Sequence, residues 1–366
     1  MWTVESSRRS ANQRTKSSYI VRNALLIVCA TLLLAAIGQS AADTDKVLQE
    51  LDAYLEQTAA QLGDSPFAAV VSKNGEVIYE RYYDAAGALG RTVNESSRWQ
   101  VFSITKSFVS ALILNLCEDE SLSLDDPVSK YLPAFREHGD GPFDRQAVTI
   151  RHLMSHTSGA AVDDDKTPES LPPDLDHVDI ITEPGISFEY SGLGMLILER
   201  TLEAATGEDL EVLLNKRIID PLGLDSTGYV YAGSATDRLL PLRTGQYRYS
   251  ESGKRAGSGL YTTARDLNKF GQFWLDPEAK FSRKLREEAW SYHGTRESDG
   301  GHYGLLWWLF ESDGGFVMSG AQSKINAVIP ETNTVITVIR YPQARADKEY
   351  KFSNDKRAMV LFGLRL

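Results

Sequence analysis

The sequence predicts an α+β protein, an antiparallel sheet flanked by N- and C-terminal helices with a mainly helical domain inserted. Three observations point this way: strand-like runs near both ends of the 366 residues, a long middle that reads as helices and loops, and late strands joined by short turns. Short connections favour antiparallel pairing, because a parallel pair needs a crossover of about a dozen residues or more. The expected division gives a sheet domain on residues 43–102 and 295–366 and a helical domain on residues 103–294. A cleft between two such domains is where a site is expected.

The chain opens on a predicted targeting segment, residues 1–42. Arg8, Arg9, Arg14, Lys16 and Arg22 precede an uncharged apolar run, residues 24–37, and then the small residues Ser40, Ala41 and Ala42. That order predicts a secretory signal cut after Ala42, and hence a periplasmic or secreted protein. The run is shorter than the roughly 20 residues of a membrane-spanning helix, so an uncleaved anchor on residues 24–37 is the second reading, and the only membrane contact expected. The segment carries +4 of a total of −11, which leaves −15 on residues 43–366. So acidic a body is a poor partner for nucleic acid or an anionic membrane face. Beyond the segment Cys117 is the lone cysteine, which excludes an internal disulfide and predicts a packing role.

Val47, Leu48, Leu51, Tyr54 and Leu55 recur at helical spacing and predict an amphipathic helix. Two β-rich runs, from Phe67 to Lys73 and from Glu76 to Tyr82, flank Asn74-Gly75, a strong hairpin signal. Strand character returns at Gly315–Met318, Ile325–Ile329 and Val335–Arg340, with turns at Asp313-Gly314 and Pro330–Asn333. A last helix is expected over about Ser353 to Phe362. Acidic and proline-rich strings in the middle, Asp163–Asp165 and Pro172-Pro173, read as solvated loops.

Ser103-Ile104-Thr105-Lys106 carries the most chemistry. It opens a run apolar on almost every side, through Phe108, Val109, Ala111, Leu112, Ile113, Leu114 and Leu116, which predicts a helix buried in a core. Positions three apart share a helix face, so the Ser103 hydroxyl and the Lys106 amine are expected within reach of each other. An unpaired ammonium is costly to bury, and a lysine so placed tends to give up its proton. Beside a hydroxyl, such a lysine makes a nucleophile.

Further strings share an order with one known family. They are Trp99-Gln-Val-Phe-Ser-Ile-Thr-Lys106, Leu122-Ser-Leu-Asp-Asp-Pro127, Thr149-Ile-Arg-His-Leu-Met-Ser-His-Thr-Ser-Gly159, Tyr190-Ser191, Asp220-Pro-Leu-Gly-Leu224 and Ala256-Gly-Ser-Gly-Leu-Tyr-Thr-Thr263. The chain resembles the serine β-lactamase and penicillin-binding superfamily over nearly all of residues 45–366, closest to the class C β-lactamase branch with its esterases and D-aminopeptidases; S-x-x-K is a known signature of that superfamily. The resemblance implies Ser103 as nucleophile, Lys106 as its proton partner and Tyr190 as an aid to proton transfer. It implies an oxyanion hole from the backbone N–H groups of Ser103 and Ala321, the latter following Met318-Ser319-Gly320, which stands where the family has K-T-G. No cofactor or metal is implied. Two departures concern the substrate-binding positions: Gly192 replaces the asparagine of Y-x-N, and Met318 replaces the lysine that grips a substrate carboxylate. A lost charge-assisted hydrogen bond is worth about 1.5–3 kcal/mol, which tilts the expectation from penicillins towards uncharged small-molecule or peptide esters and amides. The function expected is thus a secreted serine hydrolase forming an acyl-enzyme on Ser103. The alternatives are a penicillin-binding D-alanyl peptidase or β-lactamase, and a non-catalytic binding member of the same fold.

Rival signals are weaker. His152 and His156 are spaced as zinc-binding pairs are, but the glutamate of H-E-x-x-H is missing. No G-x-S-x-G elbow follows the targeting segment, and no P-loop or dinucleotide fingerprint occurs. Tyr303, Trp307 and Trp308 read as core aromatics, and the sequon Asn94-Glu95-Ser96 as incidental.

Overall fold

A computed structural model describes residues 42–87, 89–137, 139–162, 175, 178–241, 255–279, 281–297, 300–342 and 352–366. The targeting segment before residue 42 and the strings Asp163–Asp165 and Pro172-Pro173 lie outside these residues. The chain divides into a unit up to Tyr54 with the terminal Leu366, and a unit Leu55–Arg365 that holds every strand among the described residues. A helix, α1, occupies residues 42–61.

The hairpin forms where Asn74-Gly75 places it, between β1 (Phe67–Lys73) and β2 (Glu76–Tyr83). Asn74 and Gly75 both take positive φ, 53° and 83°, which a two-residue turn between twisted strands requires. After β3 (Trp99–Gln100) a short 3-10 turn, Phe102–Ile104, leads into α2 (Thr105–Glu118). Then come α3 (Ile150–Met154), β4 (Ala160–Val162), β5 (Val178–Ile180), α4 (Gly192–Thr206), α5 (Leu210–Leu214), β6 (Gly228–Tyr229) and β7 (Leu260–Thr262). Two more helices, α6 (Ala264–Leu275) and α7 (Arg283–Ala289), precede β8 (Gly294–Arg296), β9 (Gly301–Tyr303) and β10 (Trp308–Phe310). The chain closes with β11 (Gly315–Gly320), β12 (Lys324–Ile329), β13 (Thr334–Arg340) and α8 (Phe352–Arg365).

Eight strands make one sheet in the order β2-β1-β13-β12-β11-β10-β9-β8. Every pairing in it is antiparallel, so the predicted α+β class holds. β1 lies between β2 and β13, which is why Phe67-Ala-Ala-Val-Val is an unbroken apolar run, buried along its length. Helix α6 seats on the sheet through Asn268, whose amide donates to Val70 O, Val335 O and Thr337 Oγ1. A Cβ on Gly271 would stand 2.5 Å from Val335 Cγ1, so the close approach of α6 to β13 needs a glycine there.

Helix α2 is buried from Thr105 to Leu116, as its sequence demands. Phe108 stacks on Phe270 of α6 with centroids 3.7 Å apart. The α2 serines have partners outside the helix: Ser107 Oγ donates to Leu306 O at 3.0 Å and Ser110 Oγ to Leu305 O at 2.8 Å. Ser103 itself precedes the helix, in the 3-10 turn rather than on a regular α-helical face.

The middle of the chain is less purely helical than it reads. It holds the pair β4-β5 and the strands β6 and β7, which join β3 in a small sheet, all of two or three residues. Strands so short show no period-two pattern, so nothing in the local sequence announces them.

Candidate active site

The segment that presents Ser103 is tied down on several sides. β3 pairs with β7 through Trp99 and Thr262, and Val101 N donates to Leu260 O at 3.0 Å. Gln100 N donates to the Tyr341 hydroxyl at 3.1 Å, and Leu260 N to Thr105 Oγ1 at 3.3 Å. Phe102, immediately before Ser103, is held at φ +49°, a left-handed conformation that costs a non-glycine residue about 1–2 kcal/mol. Over-determined surroundings of this kind are what keep such strain in place.

Lys106 reaches back to Ser103 as the spacing predicts, with Nζ 3.2 Å from Ser103 Oγ. Its amine also donates to Gly257 O at 2.7 Å, and its residue is only 5% exposed. The third neighbour is the ring of Tyr190, whose centroid lies 4.9 Å from Nζ. Tyr190 is 39% exposed and sits just before Ser191, which caps α4 by accepting from Gly194 N. The structure thus brings Ser103, Lys106 and Tyr190 together. It is the ring face of Tyr190 that meets Lys106; among the described residues no hydrogen bond joins the phenol hydroxyl to either partner.

Behind Tyr190 lies His156, fully enclosed, with ring centroids 4.4 Å apart. His156 Nδ1 accepts from Ser191 N at 3.3 Å, and His156 O accepts from Glu189 N at 2.8 Å, so the residue holds both chain neighbours of Tyr190. Nδ1 as acceptor puts the proton of the neutral ring on Nε2. Burial, and next the proximity of Lys106, hold the His156 imidazole well below the usual histidine range. Phe188, Tyr303 and Trp308 complete an aromatic wall, with Trp308 stacked on Tyr190 at 6.2 Å and 14°.

The end of β11 abuts the segment that carries Ser103. A Cβ on Gly320 would stand 2.1 Å from Val101 O, so only glycine allows β11 so close, and Ala321 follows directly on this contact. Ala321 is exposed and Ser319 half-buried, whereas Met318 is fully buried in the hydrophobic core and is not presented at the surface. Gly192, the first residue of α4, is exposed, and a Cβ there would meet nothing within 4 Å. Under the β11–β12 turn, Lys324 is completely buried, its Nζ donating to Arg340 O at 2.6 Å and Gln322 O at 3.2 Å, and burial pushes its amine well below the usual lysine range.

The rival signals resolve locally. His152 Nδ1 accepts from Thr149 N in a capping box on α3. Among the described residues no cluster of three or more histidine, cysteine or acidic side chains is placed to hold a metal ion. Burial drives the Cys117 thiol up to about 12, far from a reactive thiolate. Two surface clefts, of about 440 and 470 Å³, are lined by residues such as Cys117, Asp125 and Arg151 in one and Asn115, Lys216 and Arg217 in the other; neither lining includes Ser103.

Sequence reasoning missed two participants. Gly257 lies in the Ala256–Thr263 string without an assigned task; it acts through its backbone carbonyl, which no side-chain pattern records. His156 reads from the sequence as half of a zinc-like pair with His152, and its packing on Tyr190 leaves no mark in the local sequence.

Comparison with known proteins bears on this arrangement. A family model described as Beta-lactamase matches residues 51–348. Beta-lactamase-like protein 2 of Dictyostelium discoideum is 28% identical over 284 residues, 69% of this chain and 50% of that protein. Esterase EstB of Burkholderia gladioli is 30% identical over 212 residues, 52% of this chain and 53% of that protein. The chain thus spans about half the length of these relatives. Among solved structures, EstCE1, described as a hydrolase with promiscuous acyltransferase activity, aligns with a TM-score of 0.70 at 18% identity over 87% of this chain and 98% of that one. At that identity the likeness speaks for the fold. With the family model covering most of its length, on a β-lactamase-like fold, the chain belongs to the Beta-lactamase family of serine hydrolases.

Proposed function

We propose that the protein is a secreted hydrolase that cleaves uncharged esters or amides through an acyl-enzyme on Ser103. The observation that carries this reading is the environment of Lys106. An amine has four tetrahedral directions, one taken by its own carbon. Gly257 O and the face of Tyr190 draw two of its N–H bonds. The remaining direction points at Ser103 Oγ, 3.2 Å away, which makes Nζ the group placed to exchange a proton with that hydroxyl. Ser103 Oγ attacks the carbonyl carbon as its proton passes to Lys106, and the charge on the carbonyl oxygen is held by the N–H groups of Ser103 and Ala321. The tetrahedral adduct then expels the alcohol or amine, which takes a proton delivered by Lys106 or the Tyr190 hydroxyl. Water repeats the attack on the acyl-enzyme and frees Ser103. The hydroxyl of Tyr190 engages only with substrate in place, as catalytic hydrogen bonds often do.

Met318, buried where the family has a lysine, and the exposed ring of Tyr190 support an uncharged, apolar substrate. Export rests on the basic and apolar order of residues 1–42, and a mature protein beginning at Asp43 is the expected outcome of sequencing the exported form. The test of the chemistry is hydrolysis of a p-nitrophenyl ester. Ser103→Ala abolishes it and leaves the fold intact, and Tyr190→Phe, which keeps the ring over Lys106, lowers kcat at least about a hundredfold. Retained turnover in the first variant ends the mechanism, and a mild loss in the second removes the phenol from the proton path.

A second reading, a D-alanyl peptidase or β-lactamase, is favoured by one observation. Arg296 and Lys356 place their cations 4.2 and 4.5 Å from the centroid of Trp308, which stacks on Tyr190. They would meet a substrate carboxylate in place of the missing lysine. Rapid acylation by a labelled penicillin, lost in Arg296→Ala, would favour it.

A further inference from the structure

We propose that Glu199 and Arg255 are positioning residues for the reaction, a buried clamp that fixes the carbonyl of Gly257 and through it the amine of Lys106. The proposal rests on the acyl-transfer reading above. Glu199 lies on α4 and is completely buried. One of its oxygens, Oε2, accepts from two successive backbone N–H groups, Arg255 N at 2.5 Å and Ala256 N at 2.9 Å. The other, Oε1, accepts from Arg255 Nε at 3.3 Å. The next residue is Gly257, whose carbonyl takes the 2.7 Å hydrogen bond from Lys106. A carboxylate gripping two consecutive peptide N–H groups sets the two peptide planes that lead to that residue.

The arginine makes the grip rigid. Its side chain is 3% exposed and bonds to Asp209 at 2.7 and 2.9 Å and to Glu203 at 3.0 Å, with Glu211 at 3.8 Å. Four carboxylates on one guanidinium exceed what neutrality needs. Buried ion pairs contribute little net stability against a hydrophobic replacement, because desolvation offsets their attraction. What such a cluster does well is hold one geometry. Burial, the largest influence on Glu199, pushes its carboxyl up, and the two backbone N–H groups and Arg255 oppose that push.

The clamp also joins the two halves of the site. Tyr190 lies just ahead of α4, Glu199 nine residues further on, and Met195, one turn before Glu199, packs beside Gly257. A single helix therefore holds the tyrosine at one end and the Lys106 acceptor along its side. Any slip of Arg255–Gly257 along α4 changes the angle between the two groups that Lys106 faces.

The chemistry of Glu199 supplies a test that separates geometry from charge. In Glu199→Gln the amide oxygen can keep both backbone N–H groups, and only the contact to Arg255 Nε is lost. In Glu199→Ala both backbone bonds go. The readout is the second-order rate of acylation by a fluorophosphonate, followed by intact mass, with p-nitrophenyl ester kinetics and melting temperature measured in parallel on the full chain. The expected result is Glu199→Gln within about threefold of wild type in acylation despite a lower melting temperature. Glu199→Ala is expected to fall at least about thirtyfold in acylation and in kcat, with KM within about threefold. Should Glu199→Ala not fold, Glu199→Asp takes its place, because a carboxylate one methylene shorter keeps the charge and cannot span to both N–H groups. Wild-type acylation in a folded Glu199→Ala or Glu199→Asp overturns the clamp, and so does collapse of both folds, which assigns a purely structural role. A wild-type protein that the probe does not label sinks the acyl-transfer reading itself, a distinct outcome.

Discussion

Gly320→Ala probes how closely the oxyanion strand must approach the nucleophile. The added Cβ would stand 2.1 Å from Val101 O and 3.3 Å from Lys324 Cβ, and a carbon needs roughly 3.2 Å or more from a carbonyl oxygen. One side must therefore withdraw by about 1 Å. Val101 is pinned by Leu260 O, and its neighbour Gln100 by Tyr341 and by the β3–β7 pairing. β11 is pinned over five residue pairs to β12, from Phe316–Val328 to Gly320–Lys324. The turn just beyond it is free of that ladder, so the displacement concentrates at Ala321. A misplacement of about 1 Å can cost a hundredfold, and loss of one oxyanion donor costs about 10² to 10³ in kcat; overpacking by one methyl costs about 1–3 kcal/mol of stability. The assay is kcat for a p-nitrophenyl ester, read beside thermal unfolding. The expectation is a folded Gly320→Ala with kcat down about a hundredfold. A folded Gly320→Ala within about threefold of wild type would show that the β11 end and Ala321 take no part.

Two further outcomes follow from the same geometry. Gly192→Asn places a carboxamide in open space at ordinary backbone angles, so it should leave the melting temperature within about 1 °C and raise turnover of a chromogenic cephalosporin several-fold; an unchanged rate clears Gly192 of setting substrate preference. For His156, whose folded value is held below the ordinary histidine value of about 6.5, the unfolded chain takes up its proton first. Its contribution is therefore complete above that value and drains away as pH falls below it. Burial lowers the imidazoles of His152 and His293 as well, and they act in the same direction over the same range. Melting temperature should thus begin to fall near pH 6.5, whereas Asp125 and Asp209, held low by Arg151 and Arg255, lose their contributions only below about pH 4. His156→Asn, whose side chain tolerates the φ of +56° found there, should flatten the upper part of that fall; an unaltered slope between about pH 7 and 5 rejects the assignment.

What could be read from the sequence was what local pattern dictates. The Asn74-Gly75 hairpin, the three late strands and the buried run after Lys106 each follow from a short stretch of chain whose neighbours in sequence are its neighbours in space. The meeting of Ser103 with Lys106 is of the same kind, since three residues of helical chain bring them together. The contribution of Tyr190 was legible only as a resemblance, because 84 residues separate it from Lys106 and no spacing rule spans such a gap. In the structure the ring face of Tyr190, and not its hydroxyl, lies over the amine.

The illegible part has a common physical cause. Gly257, Gly320 and His156 act through close approach of one backbone to another or through a buried contact between remote segments, and hydrophobic periodicity records neither. Gly320 reads through the resemblance as a substrate-binding position, yet what the structure shows is a site with no room for a Cβ in front of Val101 O. Arg255 and Glu199 read as two ordinary charges, and their meaning depends on a carboxylate reaching two peptide N–H groups 56 and 57 residues away. Ser103 and Lys106 can be paired in sequence because their meeting is local. The contacts that hold the neighbours of Lys106 and the end of β11 in register are set by tertiary distances, so the accuracy of the candidate site resides in positions whose residue types look commonplace on their own.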